Sequence, residues 1–271
     1  MNKLRQYLWD LDALDRCSLG HSYLHRIDPL AKLLTTLAFI LIVISFPKYE
    51  ISTLLPFFMF PVFLISAGGL PYYFILKKIL LLLPFLMCVG IWNPFLDTPV
   101  RMYLGEWPIS GGWLSFTSLL LRLLLTVSAS LCLLATTGIH ELGQALLRLR
   151  VPKVFVIQLL LLYRYIFLLT EEAERITRAR DMRSTDQARM SLNSYINSLG
   201  HWLLRSSDRA ERVYKAMLCR GFDGQFLRTQ TSSLAVKDFA YIGICCALFT
   251  SFRYHNFPQA LGEALTRSLP S

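Results

Sequence analysis

The chain has 271 residues, of which 54% are hydrophobic and 17% charged, and its mean hydropathy of +0.44 is too high for an ordinary soluble domain of this size. The formal net charge of +10 does not indicate nucleic-acid binding, because the basic residues cluster beside apolar runs. The six cysteines form no C-x-x-C pair, so they indicate neither a zinc site nor a disulfide framework.

The N-terminal segment, residues 1–29, carries acidic and basic side chains throughout and lacks the apolar core of a signal peptide. Membrane insertion is therefore expected to depend on internal spans. Candidate spans of about 20 apolar residues follow. They are residues 30–46, 51–67, 72–96, 113–137, 155–170 and 234–252. Proline and glycine between these runs predict separate helices.

Positive charge orients the spans. Basic residues in the N-terminal segment predict that it lies in the cytoplasm, and the first four runs then satisfy the positive-inside rule. If residues 155–170 also crossed, the strongly basic residues 175–228 would lie outside. This run is also short for a span and contains Gln158 and Arg164. We therefore predict that it is the apolar half of a long helix at the cytoplasmic face, covered by lipid headgroups or another subunit.

The predicted fold is all-α and polytopic, with about five transmembrane helices and a cytoplasmic helical region. We assign residues 1–138 to the N-terminal segment and the first four spans, residues 139–229 to the cytoplasmic or membrane-surface helices, and residues 230–271 to a final span and tail. Within the middle region, residues 140–149 are predicted to form a short amphipathic helix, Pro152 to start a long one, and residues 193–200 to form a linker.

One motif occurs twice in that region. Residues 173–184 (AERITRARDMRS) and 210–221 (AERVYKAMLCRG) both fit A-E-R-[IV]-x-[RK]-A-x-x-x-R-[SG]. Helical spacing puts small and basic residues of each copy on one stripe. The stripes comprise Ile176, Ala179 and Arg183, and Arg209, Arg212, Ala216 and Arg220. Gly221 is predicted to end the second helix.

Alanines permit close approach of a partner, and arginine presents a planar fork to carboxylates or carbonyl oxygens. The simpler alternative is a pair of basic faces near anionic lipid. Lipid attraction does not require a repeated order of residues, however, whereas two similar helices fit two similar grooves on a pair of related subunits. The duplication therefore favours docking.

Four stretches share a pattern with a known family: the two copies of Ala-x-x-x-Arg, SYLHRIDPLAKLL at residues 22–34, and RLRVPKVFVIQLLLLYRYIFLLTEEAERI at residues 148–176. They resemble the transmembrane T component of energy-coupling factor (ECF) transporters in its cobalt-type branch, CbiQ. The resemblance covers nearly the whole chain. The first motif departs from the family pattern at Met182 and Ser184, where alanine and glycine are usual, and the second has Cys219 for alanine.

The resemblance implies a non-catalytic coupling subunit whose two motif helices cross and sit in grooves on two ABC ATPases. The implied docking residues are Ala179, Met182, Arg183, Ser184, Ala216, Cys219, Arg220 and Gly221. The implied partners are CbiO-like ATPases, a CbiM-like substrate-binding membrane subunit and a small CbiN-like accessory subunit. The expected location is the bacterial cytoplasmic (inner) membrane, and the expected cargo is cobalt ion for cobalamin biosynthesis, with nickel or a vitamin as alternatives.

The apolar half of the long helix is the candidate surface for the substrate-binding subunit. It comprises Phe155, Ile157, Leu160, Leu161, Arg164, Ile166 and Phe167. No cofactor is expected on this chain: it has no Walker loop, so ATP and Mg²⁺ are expected in the partner ATPases. An intramembrane enzyme and a transporter working alone are weaker hypotheses, because the spans contain no histidine and almost no acids.

Four residues are predicted to have structural roles. Asp28 and Pro29 suit the start of a helix, with Lys32 one turn later. Arg122 lies near the middle of the fourth span and should face the bundle interior or a subunit interface, because an unpaired charge in lipid is costly. His21, His25 and Asp28 have a spacing that metal ligands use, but helix capping explains Asp28, and we predict no metal site there.

Overall fold

The computed structural model describes residues 15, 17, 18, 20, 22–49, 51–91, 100–104, 107–182, 192–224 and 235–254. The chain divides into two compact units. We call residues 14–142 with 232–271 the bundle unit, and residues 1–13 with 143–231 the motif unit. The functional segments assigned from the sequence, with boundaries after residues 138 and 229, remain a prediction.

Helices dominate the described part of both units. The helices are α1 (Pro29–Ile44), α2 (Met59–Gly68), α3 (Tyr72–Gly90), α4 (Gly111–Arg148), α5 (Lys153–Asp181), α6 (Leu192–Cys219) and α7 (Val236–Tyr254), with 3-10 helices at Tyr23–Arg26 and Ser52–Phe58. One short antiparallel ladder joins β1 (Val100–Leu104) to β2 (Trp107–Ser110), in the connection between α3 and α4. The prediction of an all-α membrane fold is confirmed.

Within the described residues, α4 and α5 are long and apolar enough to cross a bilayer, and Pro29–Ile44 and Ser52–Gly68 are shorter apolar helices. The apolar run at residues 155–170 lies within α5, a helix of 29 residues that is long and apolar enough to cross a bilayer. Its position along the cytoplasmic face stays a prediction from the charge distribution and from Gln158 and Arg164 within the run. The number of spans stays a prediction.

The start of α1 is built as the sequence predicts. The Asp28 carboxylate accepts a hydrogen bond from the backbone N–H of Leu30 at 2.9 Å, and Pro29 occupies the first helical position, where no intrahelical donor is needed. Asp28 also donates its own N–H to the buried Asp238 carboxylate at 2.9 Å. Asp238 in turn accepts from Ala235 N–H at 2.8 Å, so one side chain ties the start of α7 to the start of α1.

The core of the bundle unit is an aromatic cluster around Phe39 of α1. Its ring lies 4.6 Å from that of Phe60 and 5.4 Å from that of Phe249, measured between centroids, and Phe57 is 6.0 Å away. All four rings are buried. Offset and tilted ring pairs at these distances add to the stabilisation from burial. They pack α7, late in the chain, against α1 and α2.

A break at Gly138 divides α4. Its φ of 69° and ψ of 158° are not helical, and residues 139–148 continue as a separate helix. The short helix predicted before Pro152 is thereby confirmed. Lys32, only 2% exposed, donates from Nζ to the carbonyl oxygen of Thr136 at 3.0 Å, just before the break. The Asp15 carboxylate accepts from Ile139 N–H at 3.4 Å, just after it.

These two contacts suit the helix ends that they meet. A cation is favourable at the C-terminal end of a helix and a carboxylate at the N-terminal end, since the exposed backbone carbonyls and N–H groups carry partial charges of opposite sign. The predicted structural role of Lys32 is thus a side-chain contact with the end of another helix. Arg122 donates to the carbonyl oxygen of Pro47, within the bundle unit.

Candidate docking site

Two long helices carry the repeated motif. The first, α5, begins after Pro152, whose extended backbone forms the cap, and the second, α6, covers 28 residues. The linker predicted at residues 193–200 is wrong, because this stretch is helical. Tyr195, Leu199 and Leu203 recur one turn apart, and this amphipathic period outweighs the local preference of asparagine, serine and Gly200 for turns. Residues 183–191, between the helices, lie outside the described part.

The helices contact each other near their middles. The indole Nε1 of Trp202 donates to the carbonyl oxygen of Leu169 at 3.1 Å. Glu172 pairs with Arg209 and lies 3.6 Å from Arg205, measured from carboxylate oxygen to guanidinium nitrogen. Glu172 follows Leu169 on α5, and its partners Arg205 and Arg209 follow Trp202 on α6. The contacts therefore advance toward the C-terminus on both helices. We call the parts of α5 and α6 that follow this contact the C-terminal arms.

This contact corrects one part of the sequence analysis. Arg209 was placed on the docking stripe of the second copy, but its guanidinium bonds to Glu172 of the neighbouring helix. The Glu172 side chain is only 18% exposed. Arg209 therefore joins α6 to α5 and is not available to a partner in this arrangement. No periodicity within one helix could reveal a partner 37 residues away.

The two motifs lie at the ends of the C-terminal arms. At a rise of 1.5 Å per residue, about 14 Å of α5 separates Glu172 from Asp181, and about 15 Å of α6 separates Arg209 from Cys219. In the first copy, Ala179 is half-buried and Met182 is 82% exposed. Arg183 and Ser184 lie outside the described residues.

The second copy is described completely. Ala216, Cys219 and Arg220 are all exposed at the end of α6. Gly221 follows with a φ of 77°, its N–H donating to Leu218 O, while Phe222 N–H donates to Met217 O, both at 3.0 Å. This pair of bonds is the Schellman arrangement, which requires a left-handed residue and so favours glycine. The predicted helix stop at Gly221 is confirmed.

The predicted surface for a substrate-binding subunit is partly exposed. Phe155 is 70% exposed, and Arg164 and Ile166 are also exposed, whereas Ile157, Leu160, Leu161 and Phe167 are half-buried. Leu160 covers Gly143: a Cβ added to that glycine would come within 3.0 Å of the leucine side chain. The Arg164 guanidinium lies 6.0 Å from the centre of the Tyr165 ring, and the Tyr163 and Phe167 rings meet edge to face.

The histidine-containing segment before α1 makes local hydrogen bonds. His25 Nδ1 lies 2.6 Å from Ser22 Oγ, and Nε2 lies 3.0 Å from the carbonyl oxygen of Cys17. His21 is outside the described residues. Within the described ranges, no group of three histidine, cysteine or acidic side chains is placed to hold a metal ion. The predicted lack of a metal site remains an expectation.

The described residues thus form an all-α membrane fold in which the second copy of the repeated motif is exposed at the end of a helix. Comparison with known proteins gives the family. Residues 20–232 match CbiQ, described as "Cobalt transport protein". This match covers well over half of the chain. The chain belongs to the CbiQ family, and the resemblance seen in its motifs is confirmed.

Two relatives named as transporter transmembrane proteins match this chain over most of its length. The EcfT energy-coupling factor transporter transmembrane proteins of Bacillus subtilis and Ruminiclostridium cellulolyticum are 25% identical over 233 residues and 27% over 243. These matches cover 79% and 81% of this chain, and 86% and 87% of the relatives. The uncharacterized protein MJ1089 of Methanocaldococcus jannaschii is 34% identical over 128 residues, 45% of this chain and 47% of that protein. The chain thus spans about half the length of this archaeal relative.

The family is one of transmembrane transporter components, and it is generally non-catalytic. The coarse predictions of transport and of a membrane location are therefore confirmed. Cargo, particular partners, membrane orientation and the roles of individual residues go beyond these findings.

Proposed function

We propose that this chain is the non-catalytic coupling subunit of an ECF-type importer, which passes ATP-driven motion from two ABC ATPases to a substrate-binding membrane subunit. One observation supports this most strongly. The same motif ends two helices that are joined near their middles, so two similar docking ends project from one contact. Two similar ends suit two similar ATPase subunits.

The chemistry of each end suits docking in a groove on an ATPase. Ala179 and Ala216 let a partner approach the helix closely, while Arg183 and Arg220 supply guanidinium forks for acidic side chains or carbonyl oxygens. Cations are also favoured at the C-terminal ends of helices. Met182, Ser184, Cys219 and Gly221 complete the proposed contact surface. ATP and Mg²⁺ would be bound by the ATPases.

In this proposal, movement at one end of α5 and α6 is transmitted past their contact to the other end of α5. The Glu172–Arg209 ion pair and the Trp202 hydrogen bond hold α5 and α6 together at one place. On the other side of this contact, α5 extends for about 24 Å from Leu169 back to Lys153. That arm carries the exposed side chains of Phe155 and Ile166. Movement of the docked ends would thus be transmitted to an apolar surface suited to another membrane subunit.

Cobalt ion is the proposed cargo, bound by a CbiM-like subunit with a CbiN-like accessory subunit. The family description and the resemblance to the cobalt-type branch support this choice. The proposed location is the bacterial cytoplasmic membrane, with several spans and a cytoplasmic N-terminus, as the positive-inside rule favours. Uptake of cobalt against nickel ions by vesicles containing the complete complex tests the cargo, and uptake of nickel without cobalt would refute it.

Docking is tested by co-purification with the two candidate ATPases. The variants are Arg183→Glu, Arg220→Glu and the double change. Each single reversal is expected to weaken the complex, because it turns attraction for acidic or carbonyl groups into repulsion, and the double change to abolish it. Lys237→Glu is the matched control: Lys237 is an exposed basic residue on α7, outside both copies of the motif.

Membrane insertion is measured in parallel for every variant. Loss of ATPase binding with normal insertion, together with full binding by the Lys237→Glu control, would support the proposal. Unchanged binding in the double variant would contradict it. Equal loss in the control would show that net charge, rather than the motif, governs the association.

A further inference from the structure

A tight turn separates the short helix at residues 139–148 from α5. Arg150 N–H donates to Leu147 O and Val151 N–H donates to Leu146 O, both at 3.2 Å. This is the same Schellman arrangement that Gly221 forms at the end of α6, but here the left-handed residue is an arginine with a φ of 62°. Among the described residues, Arg150 is the one non-glycine with positive φ.

A left-handed conformation is unfavourable for a residue with a Cβ, and glycine would avoid the cost. The backbone therefore gives no reason for arginine at this position, which directs attention to its side chain. That side chain is exposed. Backbone strain of this kind is often found where a residue contacts a ligand or partner.

The surroundings of Arg150 combine positive charge with apolar surface. Leu147, Leu149 and Val154 are exposed within four residues of it, Val154 to 74%. Two further basic residues belong to the same turn: Arg148 and Lys153. Residues 142–170 contain no aspartate or glutamate. Arg150 is thus exposed beside large apolar side chains, in a stretch of sequence without acidic residues.

We propose that this turn, residues 147–154, binds anionic phospholipid headgroups at the cytoplasmic membrane surface. Leu147, Leu149 and Val154 would enter the boundary between headgroups and acyl chains, as apolar residues of interfacial segments do. Arg150 would pair with the lipid phosphate, whose oxygens match the guanidinium fork. The single sign of charge favours an anionic lipid over a protein surface of mixed charge.

This site is separate from the ATPase-docking motifs, which lie at the C-terminal ends of α5 and α6. The proposal depends on the membrane location of the family and not on the coupling function. It can therefore be tested on the isolated chain, without ATPases, and it can fail while the proposed function stands.

The experiment measures binding of fluorescent, tail-labelled phosphatidylglycerol to the full chain in a neutral detergent, with tail-labelled phosphatidylcholine as the uncharged comparison. Wild type is expected to prefer phosphatidylglycerol. Arg150→Gly and Arg150→Gln are expected to bind it about fivefold more weakly, the effect of removing one basic residue near anionic lipid. Arg150→Lys keeps the charge and should retain most of the affinity.

Arg150→Gly also separates binding from folding. Glycine adopts a φ of 62° without strain, so the thermal midpoint of this variant should not fall while its lipid affinity does. If Arg150 served only to stabilise the helix end, the midpoint would fall and the affinity would not change. The matched control is Arg175→Gln on α5, which removes one exposed charge from a position paired with Glu171.

Three results would overturn the proposal. The first is equal binding of both lipids by wild type, and the second is wild-type affinity for phosphatidylglycerol in the Arg150 variants. The third is a loss of affinity in Arg175→Gln as large as that in Arg150→Gln. The last result would show that net charge alone attracts the lipid. Selective loss in the Arg150 variants, with the control unaffected, would support a specific contact at the turn.

Discussion

Replacing Gly138 by alanine should be far more damaging than the same change at other glycines. The φ of 69° and ψ of 158° belong to a region that is essentially restricted to glycine, at a cost of about 1–3 kcal/mol for other residues. The new Cβ would also lie 2.6 Å from Ser18 Oγ, so Ser18 must move. That movement endangers its hydrogen bond to Asp15 O, worth about 1 kcal/mol.

Together these effects predict that Gly138→Ala lowers the free energy of unfolding by about 2–4 kcal/mol. For a chain of this size that corresponds to a fall of roughly 4–16 °C in the thermal midpoint. The assay is thermal denaturation of the detergent-solubilised protein, followed by intrinsic tryptophan fluorescence. The Asp15 contact with Ile139 would also be disturbed, so the short helix after the break is expected to lose order first.

Two other glycines of the bundle unit calibrate the measurement. Gly69 has a φ of 63° with nothing within 4 Å of an added Cβ, so Gly69→Ala should cost only the backbone strain, about 1 kcal/mol. Gly243 lies inside α7 with open space around it, and Gly243→Ala should be neutral or stabilising by up to about 1 kcal/mol. A midpoint for Gly138→Ala no lower than that of Gly69→Ala would refute the reasoning.

Two more predictions concern the motif unit. In a double-mutant cycle, Glu172→Gln and Arg209→Gln should show a coupling energy of about 0.5–1 kcal/mol in thermal unfolding, because the partly buried pair joins α5 to α6; additive effects would mean that the pair contributes nothing. Cys219 is exposed beside Arg220, so maleimide should label it readily in the isolated chain and more slowly once ATPases are bound. Labelling at an unchanged rate in the complex would place the docking contact elsewhere.

Helix ends were the most predictable parts of the fold. Asp28 caps α1 by bonding the N–H two residues ahead, and Gly221 ends α6 through bonds to carbonyls three and five residues back. These interactions are complete within one turn of chain, so residue order is enough to predict them. The prediction of a linker at residues 193–200 was wrong because its asparagine, serine and glycine residues were each interpreted as turn formers. The regular spacing of apolar residues in α6 continues through this stretch, which is helical.

The repeated motif was recognised from the sequence, but the sequence did not reveal what surrounds it. Arg209 has the spacing of a docking residue and instead pairs with Glu172. The strained turn at Arg150 was also missed. Leu-Arg-Leu-Arg-Val-Pro reads as a basic turn before a helix, and an arginine in a position that favours glycine becomes evident only from its φ.

The sequence by itself determined the class of this protein: an apolar composition and helical periodicity allow an all-α membrane fold, and the duplicated motif indicates paired docking. The tertiary structure decided which distant groups meet. Arg209 and Glu172 are 37 residues apart, Lys32 and Thr136 are 104 apart, and Asp28 and Asp238 are 210 apart. Each of these polar side chains has several possible hydrogen-bond partners elsewhere in the sequence. The packing of the helices decides which of them lies within hydrogen-bond distance once water is excluded.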